Sequence, residues 1–174
     1  PVTGHFSAFD HAVRARHCDL TRPPPPSGVI VLFHKSEPGG RRMQTVFSTE
    51  RWLTDARDHG SRTVISDAKH SLCPEKPAFA VVVCAGPCGA STPLVASLSS
   101  CEDEHTTCAM ARALAQAVPC SSPHCAHPFA ESPSQDGSVY RRFRPCSRGY
   151  TPTVGIDKNS GVRRGFEAAG MTVR

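Results

Sequence analysis

The residues most suited to chemistry in this sequence are arginines interleaved with aromatic side chains near the C-terminus. Guanidinium groups pair with phosphates, and aromatic rings stack on unpaired bases, so this combination is typical of RNA contact. We predict that the cations contact phosphates and that the rings stack or pack. The set comprises Arg141, Arg142, Arg144, Arg148, Lys158, Arg163, Arg164, Tyr140, Phe143 and Tyr150. The alternative is a solvated tail, or one that docks on an acidic protein surface.

The charge distribution supports RNA as the partner. The 174-residue chain carries a net charge of +5. Residues 138–174 hold eight Lys or Arg and two acids, a balance of +6, whereas the rest of the chain is close to neutral. The positive charge is therefore concentrated in one segment, which is the pattern expected of a polyanion-binding arm.

A second candidate site is a cluster of zinc-type ligands. Two thiols and two imidazoles lie within eight residues: Cys120, His124, Cys125 and His127. Thiolate and imidazole are the usual zinc ligands, although structural sites normally take paired ligands from two separated turns. The main prediction is that no cofactor is bound. A zinc-dependent interaction module stays open as an alternative, and free, reduced thiols are the simpler interpretation of the nine cysteines.

A third candidate is a Cys/His pair. His34 follows the apolar run Val29–Phe33, and Cys84 follows the run Ala78–Val83. If both runs are parallel strands, their carboxyl ends are neighbours and an imidazole could deprotonate the thiol there. This arrangement resembles that of caspases and metacaspases, and the segment 99–107 is similar to a later metacaspase segment. The resemblance implies a caspase-like cysteine hydrolase, or an inactive relative, with Cys84 as nucleophile and His34 as base.

The elements that would position these residues can be predicted from apolar runs and caps. Val29–Phe33 and Ala78–Val83 are predicted to be buried strands, with 63–65 and 94–98 as further short strands. Ser48 is predicted to cap a helix that ends at Gly60, and Ser99 or Ser100 to cap a helix over 102–118. Short helices are predicted within 5–20 and 162–171, and four consecutive prolines from Pro23 form a stiff spacer.

Strands that alternate with helices predict an α/β fold with a small parallel or mixed sheet and flanking helices, followed by a largely irregular basic C-terminal arm. The predicted organisation is an N-terminal helix and polyproline spacer (1–27), an α/β core domain (28–118), a linker rich in Cys, His, Pro and Ser (119–137) and the basic arm (138–174).

The function that these patterns favour is binding rather than catalysis. We predict a non-catalytic component of a ribonucleoprotein assembly, similar to proteins of organellar ribosomes, whose partners are RNA and neighbouring proteins. No apolar stretch is long enough to span a bilayer, so no membrane contact is predicted. The expected location is intracellular, with the mitochondrion as the favoured compartment.

Overall fold

One mixed β-sheet with helices packed against it forms the framework of the protein. The computed structural model describes residues 8–13, 28–37, 42–70, 77–86, 89–118, 129–133, 139–143 and 150–174. In chain order the elements are α1 (8–13), β1 (Val29–Ser36), β2 (Met43–Thr49), α2 (Glu50–Asp58), β3 (Thr63–Lys69), β4 (Ala78–Ala85), β5 (Ser91–Ser99), α3 (Glu104–Ala117), β6 (Phe129–Pro133), β7 (Val139–Phe143), β8 (Thr153–Gly155), α4 (Ser160–Ala168) and β9 (Thr172–Val173).

The strands lie in the order β6-β7-β1-β2-β5-β4-β3-β8-β9. Among the described strands, only the β3–β8 and β8–β9 pairs are parallel, and all other neighbours are antiparallel. For β6 and β7, at one end of the sheet, the structure describes the backbone alone. The predicted α/β class with a mixed sheet and flanking helices is confirmed.

The core lies between one face of the sheet and helices α2, α3 and α4. Val46, Val64 and Val82 point to this face and form one cluster with Leu114 of α3 and Phe166 of α4. Side chains along β3 point alternately to the two faces of the sheet. Val64 points to the core and is buried, whereas Ile65 points to the other face and is 57% exposed, so that face is open to solvent at β3. Helix α1 contacts that second face, where Asp10 meets His34 of β1.

The C-terminal segment departs from the prediction of a largely irregular arm. In its described residues 150–174 it forms β8, α4 and β9, which extend the sheet and cover its helix face. Val154 and Phe166 are fully buried there. The apolar residues of this segment are few and separated by glycines, so their spacing is too weak a pattern to predict strands or a helix. In the structure these apolar residues pack in the core.

The predicted strands at 29–33, 63–65, 78–83 and 94–98 are present as parts of longer strands. The predicted caps are wrong by one to four positions. Thr49, and not Ser48, caps α2, because the Ser48 hydroxyl donates to the Leu94 carbonyl in the sheet. Asp103, and not Ser99 or Ser100, caps α3 in a reciprocal capping box with Thr106. Helix α4 covers Ser160–Ala168 rather than 162–171. Of the helix expected within 5–20, the described part is 8–13.

Candidate functional site

Several strands run in the same direction and end at one edge of the sheet. Strand β8 is parallel to β3, and β5 has the same direction because β4 is antiparallel to both β3 and β5. An acidic residue lies near the end of each of these three strands: Asp67 is two residues before the end of β3, Glu102 three residues after β5 and Asp157 two residues after β8. We call this the carboxyl edge.

Asp67 and Asp157 follow the paired segments of two neighbouring parallel strands. Thr63 pairs with Thr153, Val64 with Val154 and Ile65 with Gly155, and each aspartate lies two residues beyond the last of these pairs. β8 ends at Gly155, so Asp157 lies in the segment that leaves the strand, whereas Asp67 is still within β3. Both aspartates are exposed to solvent.

Each of these aspartates uses only one oxygen locally. Asp67 Oδ1 accepts a hydrogen bond from Ala68 N at 2.8 Å, and Asp157 Oδ1 accepts one from Asn159 N at 3.1 Å. Asn159 in turn caps α4 by accepting from Gly161 N. Within the described part of the chain, the second oxygen of each aspartate has no hydrogen bond or ion pair with another residue. Both carboxylates therefore keep an oxygen for a ligand.

Three other acids at this edge, Glu102, Asp103 and Glu104, have side-chain partners. Glu102 lies 2.9 Å from His70 Nε2, and Glu104 accepts from Arg164 Nε at 2.7 Å. Asp103 accepts from the Thr106 backbone as the cap of α3. Partial burial raises the pKa of Asp103, but hydrogen bonds led by that from Thr106 N outweigh it and leave the pKa below its ordinary value. Asp67 and Asp157 differ from these three acids in that their hydrogen bonds in the described structure come from backbone N–H groups alone.

A divalent cation is the ligand that such a pair suits. Within the described ranges, no group of three or more His, Cys, Asp or Glu side chains is arranged to hold a metal ion. Mg²⁺ does not require such a cage, because it keeps several waters and is commonly held by one or two carboxylates together with substrate phosphates. The pair at the carboxyl edge meets this minimal requirement.

Asp67 and Asp157 were not singled out from the sequence, although a weak signal for them is present. The segment Thr63–Asp67 reads Thr-Val-Ile-Ser-Asp, and Thr153–Asp157 reads Thr-Val-Gly-Ile-Asp. Two short β-branched runs that both end in aspartate indicate strands whose carboxylates could meet. The pairing itself could not be deduced, because strand order depends on contacts between distant parts of the chain.

Among the residues predicted to contact RNA, the described side chains are those of Tyr150, Lys158, Arg163 and Arg164. Tyr150 packs against the core, and its hydroxyl donates to the Gly60 carbonyl at 2.7 Å. Burial raises the pKa of Tyr150, with a smaller contribution from nearby Cys84. Tyr150 therefore packs, which is one of the two roles, stacking or packing, predicted for the rings.

The predicted cations divide into three groups. Arg163 and Arg164 of α4 lie 3.7 Å and 2.7 Å from the carboxylates of Glu167 and Glu104. Lys158 is exposed and directly follows Asp157. The third group consists of residues whose side chains are not described. β7 contains Arg141 and Arg142 together with the predicted rings Tyr140 and Phe143, and only its backbone is described. The other two cations, Arg144 and Arg148, lie outside the described residues.

The proposed His34–Cys84 pair is not assembled. β1 and β4 run in opposite directions and are separated by β2 and β5. Because His34 and Cys84 each lie near the carboxyl end of their own strand, they lie toward opposite ends of the strands. Across the sheet they are a further three strand spacings apart, roughly 14 Å. His34 is fully buried between Thr45 Oγ1 at 2.8 Å and Asp10 Oδ1 at 2.7 Å. Burial, reinforced by Asp55, raises the pKa of the Cys84 thiol, which opposes nucleophile formation.

The zinc alternative concerns Cys120, His124, Cys125 and His127, which all lie outside the described residues. It stays a prediction.

Comparisons with known proteins add no identity. No family model, curated protein or solved structure matches the chain. In the described part of the chain, no helix is both long and apolar enough to cross a membrane.

Proposed function

We propose that this protein binds nucleic acid and holds a divalent cation, Mg²⁺, between Asp67 and Asp157 for phosphodiester chemistry. The observation that carries the proposal is the parallel register of β3 and β8, in which each aspartate lies two residues beyond the last pair, Ile65 with Gly155. The unused oxygen of each carboxylate is the second ingredient, since it can coordinate the cation directly.

The chemistry available to this site is phosphodiester hydrolysis. A cation shared by the aspartates and a backbone phosphate would polarise the phosphoryl group and stabilise the charge that develops on it. Water attacks phosphorus, a new P–O bond forms, and the bond to the leaving sugar oxygen breaks. The water loses a proton and the leaving oxygen gains one, so the products are a phosphomonoester and an alcohol.

The charge of the chain supports a polyanionic substrate. The net charge is +5, and the exposed Lys158 directly follows Asp157. A cation next to the metal ligands can contact a neighbouring phosphate as a point charge. The carboxylates alone would repel a phosphate, whereas the bound cation and Lys158 would both attract it. With both present, the arrangement favours nucleic acid over a neutral substrate.

The test is cleavage of labelled single- and double-stranded nucleic acid by the full chain with Mg²⁺, Mn²⁺ or chelator. We expect cation-dependent cleavage that Asp67→Asn and Asp157→Asn each abolish. Asp58→Asn is the matched control, since Asp58 is an aspartate at the end of α2 that pairs with Arg57 at 2.7 Å. Cation-dependent cleavage that persists in both edge variants would overturn the proposal.

A non-catalytic ribonucleoprotein component is the second candidate. The observation in its favour is the concentration of positive charge in residues 138–174. In this alternative the protein contacts RNA through Arg141, Arg142, Arg144, Arg148 and Lys158, and neighbouring proteins cover the sheet, as in an organellar ribosome. RNA binding that falls steeply with salt, needs no divalent cation and is unchanged in Asp67→Asn would favour it over the first candidate.

A further inference from the structure

The second face of the sheet, opposite helices α2, α3 and α4, carries a patch of apolar side chains. On β4, Val82 points to the core, and its neighbours Val81 and Val83 point to the second face. Paired residues of neighbouring strands share a face, so the register extends this assignment to β3, β5 and β2. The patch consists of half-buried or exposed residues: Phe47, Ile65, Phe79, Val81, Val83 and Leu98.

Two aromatic rings meet within this patch. Phe47 of β2 and Phe79 of β4 lie on either side of β5, with ring centroids 6.5 Å apart and ring planes tilted by 40°. Ala96 of β5 pairs with Phe47 and is only 1% exposed, and its small side chain leaves room for the rings to meet above it. Each ring is half-buried, so part of it faces solvent. Aromatic rings on an open sheet are a platform on which unpaired bases stack.

Two charged residues of β3 lie beside the rings on the same face. Lys69 pairs with Phe79 across the β3–β4 ladder and is exposed. Asp67, a ligand of the proposed cation, lies two residues before Lys69, so the two point to the same face about 6.7 Å apart along the strand. Successive phosphates of an extended single strand have a similar spacing. One phosphate can therefore pair with Lys69 while the next one reaches a cation at Asp67.

We propose that the second face binds a single strand of nucleic acid, with a base stacked on Phe79 and its phosphate paired with Lys69. This inference rests on the proposed function, to which it adds the path of the strand that leads to the cation at Asp67. The bases of a duplex are already stacked and paired, so they cannot lie on the rings, and a single strand is the form of nucleic acid that this face fits.

The first test is the fluorescence anisotropy of a labelled single strand of about eight nucleotides, titrated with the full chain in the presence of chelator. Phe79→Leu keeps an apolar side chain and removes the ring, and we expect it to weaken binding by at least about fivefold. Phe79→Tyr keeps the ring and should bind within about twofold of the wild type. Circular dichroism establishes that both variants are folded.

The second test measures the phosphate contact through its salt dependence. Lys69→Gln is expected to weaken binding and to reduce the slope of log affinity against log salt by about 0.7, the value for one phosphate of a single strand. Arg51→Gln is the matched control, because it removes the same charge from α2 on the opposite side of the sheet, where Arg51 is 89% exposed. This control should keep the wild-type affinity and slope.

Three results overturn the inference. The first is a wild-type chain that binds no single strand or binds a duplex of the same sequence equally well. The second is unchanged affinity in folded Phe79→Leu or in Lys69→Gln. The third is a dimer in sedimentation velocity that Ile65→Asp dissociates without any change in strand affinity, which identifies a second copy of the chain as the occupant of the face.

The same variants separate a failure of this inference from a failure of the proposed function. Binding in chelator does not depend on the cation, so Asp67→Asn should bind the strand at least as tightly as the wild type does. Strand binding that Phe79→Leu weakens, without cation-dependent cleavage by the wild type, supports the face and contradicts the cation site. Cleavage that Asp67→Asn abolishes, with strand binding unchanged in Phe79→Leu, contradicts the face alone.

Discussion

At the scale of single residues, the partner of a carboxylate matters more than its position in an acidic run. The run Glu102, Asp103 and Glu104 is the longest acidic run in the sequence. Each of the three has a structural role, with His70, as the α3 cap and with Arg164 respectively. Asp67 and Asp157 are isolated in the sequence, and in the described structure their hydrogen bonds come from backbone N–H groups alone.

The Cys84 thiol is expected to react slowly with iodoacetamide in the native protein at neutral pH. Cys84 is only 3% exposed, and burial raises its pKa, so little thiolate is present and access is poor. Mass spectrometry of labelled peptides should show fast modification only after denaturation, with the same native rate in His34→Ala. Fast native labelling that His34→Ala removes would instead support the cysteine-hydrolase alternative.

The Asp103 cap is expected to stabilise the fold in a pH-dependent way. Asp103→Ala should cost about 0.5–2 kcal/mol at pH 7, whereas Asp103→Asn should cost less because asparagine is also a good cap. The pKa of Asp103 in the folded protein lies below its ordinary value of 3.8, so the carboxylate stabilises above that value and the effect is lost as pH falls through the folded pKa.

Thermal unfolding of the wild type and Asp103→Ala between pH 7 and pH 2 measures this effect. The gap in melting temperature should be largest at neutral pH and should narrow below pH 4 or so. A gap that is constant over the whole range would mean that the charge of Asp103 makes no contribution.

At the scale of elements, apolar runs predicted where most central strands lie but not how they pair. The runs at 29–33 and 78–83 are continuous and β-branched, so both strands could be predicted from residue type alone. β2 was not predicted, because Met43, Gln44 and Thr45 are mixed in polarity although all three are buried. Strand direction was also beyond prediction, and the expected neighbourhood of His34 and Cys84 depended on the assumption of parallel strands.

The packing of α4 on α3 depends on a close approach at Gly165. A Cβ at this position would lie 2.6 Å from Thr107 Cβ and 2.7 Å from the Glu104 carbonyl oxygen, so Gly165→Ala must push the helices apart. We expect a loss of about 1–3 kcal/mol in the free energy of unfolding, measured by urea denaturation.

Gly161→Ala in the same helix is the matched control. A Cβ there has its nearest neighbour, Asn159 Oδ1, at 3.4 Å, which is ordinary contact. We expect no loss, and a gain of up to about 1 kcal/mol from helix propensity. Equal effects of the two substitutions would contradict the close helix contact.

At the scale of the whole molecule, the C-terminal segment links charge to fold. Part of the segment expected to thread along RNA, residues 150–174, supplies two strands and a helix that extend the sheet beside β3. This segment also contributes Asp157, so the folding of β8 against β3 creates the candidate site. The apolar residues that anchor it, Val154 and Phe166, are too sparse in the sequence to predict such a role.

The most direct test of the central claim is Mn²⁺ binding to the full chain, followed by calorimetry and by paramagnetic line broadening in NMR spectra. We predict one site whose broadening centres on Asp67 and Asp157, and a loss of affinity of at least about tenfold in Asp67→Asn and in Asp157→Asn. Asp58→Asn should bind as the wild type does. Equal Mn²⁺ affinity in all four proteins, or broadening centred elsewhere, would contradict the assignment of this edge as the functional site.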